Sequence, residues 1–443
     1  MRLPEYAARA LCRLENAGFE VWAVGGCVRD SLRGAEPHDF DLCTAARPEE
    51  MLRVFAGERL IKTGFRHGTL TVLTEGGPLE ITSFRADGSY SDGRHPDGVR
   101  FVSSIRDDLA RRDFTVGAMA WHPERGLFDP FGGREDLENR VLRAVGDPDM
   151  RFTEDALRIL RAVRFASELG FSIEENTAAA MERQAGRLAL IAPERVREEL
   201  TRLLCGRWVQ RTLLGYTAVI GAALPELRPM FGCTQDNPHH CYDVWGHTVR
   251  AVGQVPPEPC LRWAMLLHDS GKPACKTVDE QGVGHFRGHP KASRALAERL
   301  LPRLRFSNED SERILLLVEQ HDRPLGDSDK LVRRRLAQIG EARFRDLLMI
   351  KKGDAVGQNT QPWDVGTLQG TERLLNEVLR QDGCLSLRRL AVNGRYMQTL
   401  GFTGEKIGEM LRFLLDAVLD DPARNDRETL LRLARTEMEE QHG

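Results

Sequence analysis

Asp39 and Asp41 stand two residues apart in His38-Asp39-Phe40-Asp41-Leu42. Charged and apolar residues alternate there, which predicts a strand with both carboxylates on one face. Two carboxylates at that spacing can hold one or two Mg²⁺ ions. Two metals can clamp the attacking hydroxyl and the leaving phosphate of a nucleotidyl transfer. Upstream, Gly25 and Gly26 let the backbone approach a triphosphate closely. The helix predicted to start near Cys27 adds its positive end. Glu80, on a neighbouring strand, is a candidate third carboxylate.

A second group occupies the middle of the chain. His247, His268, Asp269, His289, His321 and Asp354 are spread through helical sequence. His268-Asp269-Ser270-Gly271-Lys272-Pro273 resembles the HD phosphohydrolase signature. Imidazole with carboxylate suits Mn²⁺, Fe²⁺, Ni²⁺ or Mg²⁺, and no thiolate set suggests zinc. His247, His268, Asp269 and Asp354 suffice for one metal. His289 and His321 permit a second, and a metal-bound water could attack a phosphate ester. His239, His240 and His285 read as supporting or surface residues in nearby loops.

These residues need elements to hold them. Val21–Val24 is a short apolar strand, broken by the glycine pair. Residues 69–74 and 79–84 flank Gly76-Gly77 and predict a hairpin. Residues 86–98 are glycine-rich and polar, a loop. Residues 1–20 read as an amphipathic helix rather than a signal peptide. Beyond about residue 150 the pattern is helical. Thr153 is the expected cap of a helix carrying Leu157, Leu160, Val163 and Ala166 on one side. Further helical blocks cover 176–215 and 243–357, and a break at Asp382-Gly383 precedes a helical end.

Composition bounds the rest. The chain has 443 residues and a net charge of −3, so it is not a broadly basic nucleic-acid protein, although segregated basic faces can bind RNA. No apolar run approaches the ~18 residues of a membrane span. Nine scattered cysteines without a CxxC pair imply a reducing, cytoplasmic setting.

The glycine pair followed by the aspartate pair resembles the polymerase-β-type nucleotidyltransferases. The resemblance continues through Lys62–Val72, then Arg111-Arg112-Asp113-Phe114-Thr115, whose family counterpart contacts the nucleotide sugar and phosphates. Asp129-Pro130-Phe131-Gly132-Gly133 is similar to a hinge motif. Glu154-Asp155-Ala156-Leu157-Arg158 is similar to a base-reading motif, and Glu194–Leu200 to the helix that buttresses it. Five ordered motifs over ~200 residues resemble the class II (bacterial-type) CCA-adding tRNA nucleotidyltransferases. One departure is Gly117, where the family usually has Asn.

The base reader has a physical rationale. Asp only accepts and Arg only donates, so a fixed pair can mimic a Watson–Crick edge. Cytosine and adenine would be served, guanine and uracil refused. Asp155 and Arg158, at i and i+3, are expected side by side on one helix. The resemblance also implies nucleotide-binding roles for Gly25, Gly26, Arg29, Arg112, Asp113, Arg161 and Arg164.

The expected fold class is α+β. A nucleotidyltransferase head with a small mixed sheet (1–145) precedes all-α regions: a neck and body (146–232), an HD metal-binding domain (233–360) and a tRNA-binding tail (361–443). The implied function is addition of CCA to tRNA 3′ ends from CTP and ATP with Mg²⁺, plus phosphohydrolysis at an HD site holding a second divalent metal. Tyr90–Asp97 resembles the flexible loop that CC-adding relatives lack. Alternatives are an A-adding-only enzyme, a poly(A) polymerase, or an HD phosphohydrolase with an inactive head. In the tail, 388–398 and 400–415 resemble the family's tRNA-supporting segment. Arg333-Arg334-Arg335, Lys351-Lys352 and Arg388-Arg389 are candidate phosphate contacts. Stacked acceptor and T arms would be read by shape. Oligomeric state is not indicated.

Overall fold

A computed structural model describes residues 1–87, 99–237, 241–358, 365–381 and 383–440. The expected loop residues Tyr90–Asp97, and His239, His240 and Asp382, lie outside them. The chain forms two compact units, Met1–Glu226 and Leu227–Gly443.

The first unit is built on a mixed sheet. Its strands are β1 (Val21–Val24), β2 (Asp41–Thr44), β3 (Arg59–Ile61), β4 (Thr69–Thr74) and β5 (Gly77–Ser83), with β8 (Ala120–His122) and β9 (Gly126–Phe128). The order is β3-β4-β5-β2-β1-β8-β9. A separate pair, β6 (Arg85–Asp87) with β7 (Val99–Phe101), flanks the expected loop. β4 and β5 form the expected antiparallel hairpin, with Leu70, Val72, Leu79 and Ile81 buried. Gly77 takes φ +119° at its turn, a conformation that favours glycine. β2 runs parallel to β5 and antiparallel to β1. Trp22, Val24, Cys43, Phe84 and Leu109 share one buried cluster, so the central strands are pinned against the helix Ile105–Ala110.

Two local expectations need correction. The strand begins at Asp41, and Asp39 lies in the irregular run-in before it. Strand pairing decides this: β1 ends at Val24, which pairs with Asp41, leaving Asp39 without a β1 partner. The long helix begins at Leu157, not near Thr153. Thr153 belongs to a shorter helix, Pro148–Glu154, and Asp155 stands extended between the two. The N-cap is Ala156, which has no capping side chain, and the Asp155 carboxylate before it accepts from the Leu157 N–H at 2.9 Å. Leu157, Leu160, Val163 and Ala166 are buried along one side, as the periodicity predicts.

The second unit is helical. Val244–Gln254, Pro259–Leu267, His289–Arg303, Asn308–Gln320 and Glu341–Gln358 are its main helices before residue 360. Trp263 is fully buried, edge-on to Phe306 at 5.2 Å. Two small strand pairs, one in each unit, were not expected. Val141–Leu142 pairs with Ser172–Ile173, and Thr277–Val278 with Gly284–His285. Each strand is two residues long, too short for a period-2 pattern to register. In the tail, Glu405–Asp420 and Arg427–Glu440 share a core of Met397, Met410, Leu414, Val418 and Leu430.

Candidate nucleotidyl-transfer site and metal centre

In the first unit, Asp41 and Glu80 are register partners on the parallel strands β2 and β5. Paired residues point to the same sheet face, so the two carboxylates are neighbours. Burial and the adjacent Glu80 charge push the Asp41 carboxyl up to about 6; Arg112 opposes this and Asp39 adds to it. A carboxylate crowded by two others is short of positive charge, which a divalent cation supplies. Asp39, Asp41 and Glu80 do not draw three ligand atoms within 4.8 Å of one another. Among the described residues only two groups in the second unit do so.

Gly25 turns the chain from β1 into the helix Gly26–Leu32 with φ +77°. A Cβ there would meet the Arg112 guanidinium at 3.1 Å, so Arg112 lies against this turn. Arg112 donates to the Gly117 carbonyl at 3.2 Å and pairs with Asp108 at 3.4 Å. Asp108 also binds Arg111 at 2.9 Å, and its side chain is fully buried. Sequence reading missed Asp108. Its signal was available: an acid three and four residues before an arginine doublet on one helix face. Arg29 grips its neighbour Asp30 with two hydrogen bonds of 2.9 and 2.8 Å.

The expected base readers do not pair with each other. Arg158 is bound to Glu154 at 2.7 Å and to the Arg111 carbonyl at 3.0 Å. Asp155 faces Arg195 at 3.3 Å. The break between the helices causes this, because Asp155 is not in the helix that carries Arg158. Arg161 donates to Asp113 at 2.7 Å. Burial alone would raise the Asp113 carboxyl, but the Arg161 charge holds it below the usual range. Arg164 is buried between Glu199 at 2.5 Å and Glu168 at 2.8 Å. The helix Pro193–Leu204 thus buttresses the helix Leu157–Leu169 through Glu199, while its Arg195 reaches Asp155.

In the second unit the six expected ligands do converge. His268 and His321 sit just past the ends of Pro259–Leu267 and Asn308–Gln320, and His289 opens the helix His289–Arg303. His247, His268 and Asp354 form one ligand group; Asp269, His289 and His321 form another. Asp269 joins them. Its Oδ2 lies 3.2 Å from both His247 and His268 Nε2, and its Oδ1 lies 3.2 Å from His289 Nε2.

Backbone carbonyls settle the tautomers. Nδ1 of His268, His289 and His321 lies 2.7, 2.9 and 2.7 Å from the Met265, Phe286 and Val318 carbonyls. A carbonyl only accepts, so each Nδ1 donates, and in the neutral ring Nε2 keeps a lone pair. Yet Nε2 of His289 and His321 are 3.2 Å apart, so in the neutral rings two lone pairs face each other, whereas Nε2 of His247 and His268, also 3.2 Å apart, both lie against the Asp269 and Asp354 carboxylates. Facing lone pairs need a cation between them. Two ligands each ~2.1 Å from one metal, at tetrahedral or octahedral angles, are separated by about 3.0–3.4 Å. The donor set therefore fits divalent metal, which His247, His268, Asp269, His289, His321 and Asp354 would hold. Burial resists a charge on His268, but Asp269 and Asp354 push it up to about 10. Burial, with the His268 charge beside it, brings His321 down to about 4.

Several basic candidates are already engaged. Arg333 is buried and donates to the Leu419 carbonyl at 3.0 Å; Arg334 pairs with Asp420 at 2.7 Å. Arg335 donates to Gln320, Lys351 to the His321 carbonyl, and Lys352 to Glu372. Arg388 and Arg389 are exposed. His285 pairs with Asp279 at 2.7 Å, a supporting role. All nine cysteines are free thiols. Among the described residues no helix is long and apolar enough to cross a membrane.

Known proteins share parts of this sequence and its fold. The poly A polymerase head domain matches residues 21–143. A probable RNA and SrmB-binding site of polymerase A matches 170–227, and the HD domain matches 239–347. The CCA-adding enzyme of Limosilactobacillus fermentum is 46% identical over 209 residues, 47% of this chain and 52% of that protein. That of Latilactobacillus sakei is 40% identical over 263 residues, 57% of this chain and 66% of its own length. The chain thus spans about half the length of the first of these and of similar curated relatives. The crystal structure of the Bacillus stearothermophilus CCA-adding enzyme in complex with CTP superposes with TM-score 0.78 at 27% identity, covering 100% of both chains. The Thermotoga maritima CCA-adding enzyme complexed with tRNA shares the fold, with TM-score 0.61 at 20% identity over 99% of this chain and 97% of that one. Polymerase head and HD domains both imply divalent metals, and this chain carries a match to each, while the curated relatives it resembles over about half their length are CCA-adding enzymes.

Proposed function

We propose that the chain adds CCA to tRNA 3′ ends from CTP and ATP, without a nucleic-acid template. The observation that carries this reading is the Asp41–Glu80 register pair beside the Gly25 turn and Arg112. Asp39 and Asp41 would hold Mg²⁺, with Glu80 helping to activate the tRNA 3′-hydroxyl. Bound Mg²⁺ would offset triphosphate charge and make the hydroxyl a better nucleophile. Gly25, Gly26, Arg29, Arg112 and Asp113 line or support the triphosphate and sugar path. Asp155 and Arg158 select the base, with Arg161 and Arg164 fixing the helix they sit on. For Asp155 and Arg158 to meet one base edge, Arg158 exchanges Glu154 for the base and Asp155 turns from Arg195. The structurally similar Bacillus stearothermophilus CCA-adding enzyme was solved in complex with CTP, which supports CTP as a substrate class.

Regional roles follow the same reading: a head over 1–145, a neck and body over 146–232, an HD domain over 233–360, and a tRNA-supporting tail over 361–443. The free thiols fit work in the cytoplasm. The HD centre would hold Mn²⁺, Ni²⁺, Fe²⁺ or Mg²⁺ on its six ligands and remove phosphate from RNA 3′ ends. That reaction leaves the free hydroxyl that nucleotide addition requires.

Paired variants test the division of labour. Asp41→Ala should abolish addition, by ≥10³-fold, while tRNA affinity changes by less than about twofold, read by a filter-binding titration. His268→Ala should leave addition intact and abolish metal-dependent phosphate release. Retained addition in Asp41→Ala would refute the metal assignment. Phosphate release as the sole wild-type activity would favour an HD phosphohydrolase with an inactive head.

A further inference from the structure

The HD centre opens into a cavity of about 310 Å³, large enough for little more than one nucleotide. Its wall carries two cationic side chains, Lys272 and Arg287, and one exposed acid, Asp322. Lys272 is committed. Its ammonium lies 2.7 Å from Asp269 Oδ2 and 2.9 Å from Gln235 Oε1, and it is buried over the Phe286 ring. The His285 ring is held by Asp279. Arg287 is different: it is exposed, and no ion pair or hydrogen bond ties its guanidinium among the described residues. It is presented by the turn between the strand Gly284–His285 and the helix His289–Arg303, next to Gly288 at φ +82°. Two residues on, His289 is one of the six candidate ligands of the centre.

We propose that Arg287 is the specificity-determining residue of the HD centre, gripping the outer oxygens of a terminal phosphate monoester. The proposal rests on the phosphohydrolase reading above and names what that site prefers. A terminal monoester has three non-bridging oxygens. Metal held by the six ligands would draw in the monoester's inner oxygens and offset their charge, leaving an outer oxygen for the Arg287 guanidinium. A cyclic or internal diester has only two non-bridging oxygens, so Arg287 finds none remaining. Asp322, beside His321, repels anionic groups from its side of the cavity and leaves the Arg287 side for the phosphate. In the reaction, water oxygen bonds to phosphorus and the bond from phosphorus to the ribose 3′ oxygen breaks. One water proton ends on that ribose oxygen, giving a 3′-hydroxyl, and the other stays with inorganic phosphate.

The test compares the full-length wild type with Arg287→Ala and Arg287→Lys, each loaded with Mn²⁺. Metal content, measured by elemental analysis, reports whether the centre is intact. Two RNA minihelices are used, one ending in a 3′-phosphate and one in a 2′,3′-cyclic phosphate. Loss of one charge-assisted fork is expected to raise KM for the 3′-phosphate about tenfold with little change in kcat. KM for the cyclic end should move less than about twofold, and Lys should recover part of the loss. Inorganic phosphate binding, read by titration calorimetry, should weaken by a similar factor of about ten in Arg287→Ala. If the wild type cleaves neither RNA but phosphate binding still weakens, the phosphate grip stands and the hydrolase reading fails. Unchanged phosphate binding in Arg287→Ala, or equal KM changes for both RNA ends, would overturn the proposal.

Discussion

The Asp113 carboxylate accepts from Arg161 at 2.7 Å and from its neighbour's N–H, Phe114, at 3.0 Å. Its partner is half-buried, so the pair lies between an exposed ion pair, worth ~0–1 kcal/mol, and a buried one, where losing a partner costs ~3–5 kcal/mol. Asp113→Asn is therefore expected to cost about 2 kcal/mol at neutral pH. The pH dependence has a definite sign. The folded carboxyl is held below its ordinary value, so its stabilisation is present above ~4, the unfolded value, and disappears as pH falls through the lower folded value. Urea unfolding at pH 7 and pH 3 should show the gap between wild type and Asp113→Asn closing at the lower pH. A constant gap would mean that packing, not charge, is what the variant loses. Asp113, Asp155 and Arg158 were legible as motif members, yet their present partners were not. Spacing says which residues are near in sequence, whereas Arg161, Arg195 and Glu154 were chosen by where two helices meet. The carboxylate of Asp155 was itself a helix-start signal, and Thr153 three residues ahead of Ala156 competed with it as a reading.

Among the elements, the segment Asp129–Gly133 shows how a motif works locally. The Asp129 carboxylate accepts from the Gly133 and Arg134 N–H groups, both at 2.8 Å, closing the start of the helix Gly133–Glu138. Gly132 takes φ +74° with open space around it. A Cβ on Gly133 would collide with the Thr115 carbonyl oxygen, which is backbone and cannot swing aside. Gly132→Ala should cost about 1–2 kcal/mol, the left-handed penalty. Gly133→Ala should cost more, about 3 kcal/mol, because the helix must shift away from Thr115. Thermal melts of both variants check the order, and a more stable Gly133→Ala would contradict this packing. The β4–β5 hairpin and the helix Leu157–Leu169 were readable from periodicity, since their apolar faces are buried. The strand pair Thr277–Val278 with Gly284–His285 was not, because its formation depends on the neighbouring HD helices more than on its own residues. Basic runs were equally opaque: Arg333 and Arg334 look like an RNA surface in sequence, but one is buried and the other is paired with Asp420.

The whole molecule carries two clusters of candidate metal ligands, one in each unit. The HD ligands were legible because imidazole and carboxylate rarely recur in that order by chance, and folding brings all six together, including Asp354 beyond the matched HD segment. The central place of Asp269, within 3.2 Å of His247, His268 and His289, and the carbonyl-fixed histidine tautomers required coordinates. The central claim is the product made at the tRNA end. The direct measurement uses three tRNA transcripts, ending at the discriminator base, in C, and in CC. Each is incubated with all four nucleoside triphosphates and Mg²⁺, and the 3′ ends are sequenced. Completion to CCA is expected on all three, with UTP and GTP left out. Addition of a single A to the CC-ended transcript alone, or long A tails, would contradict it.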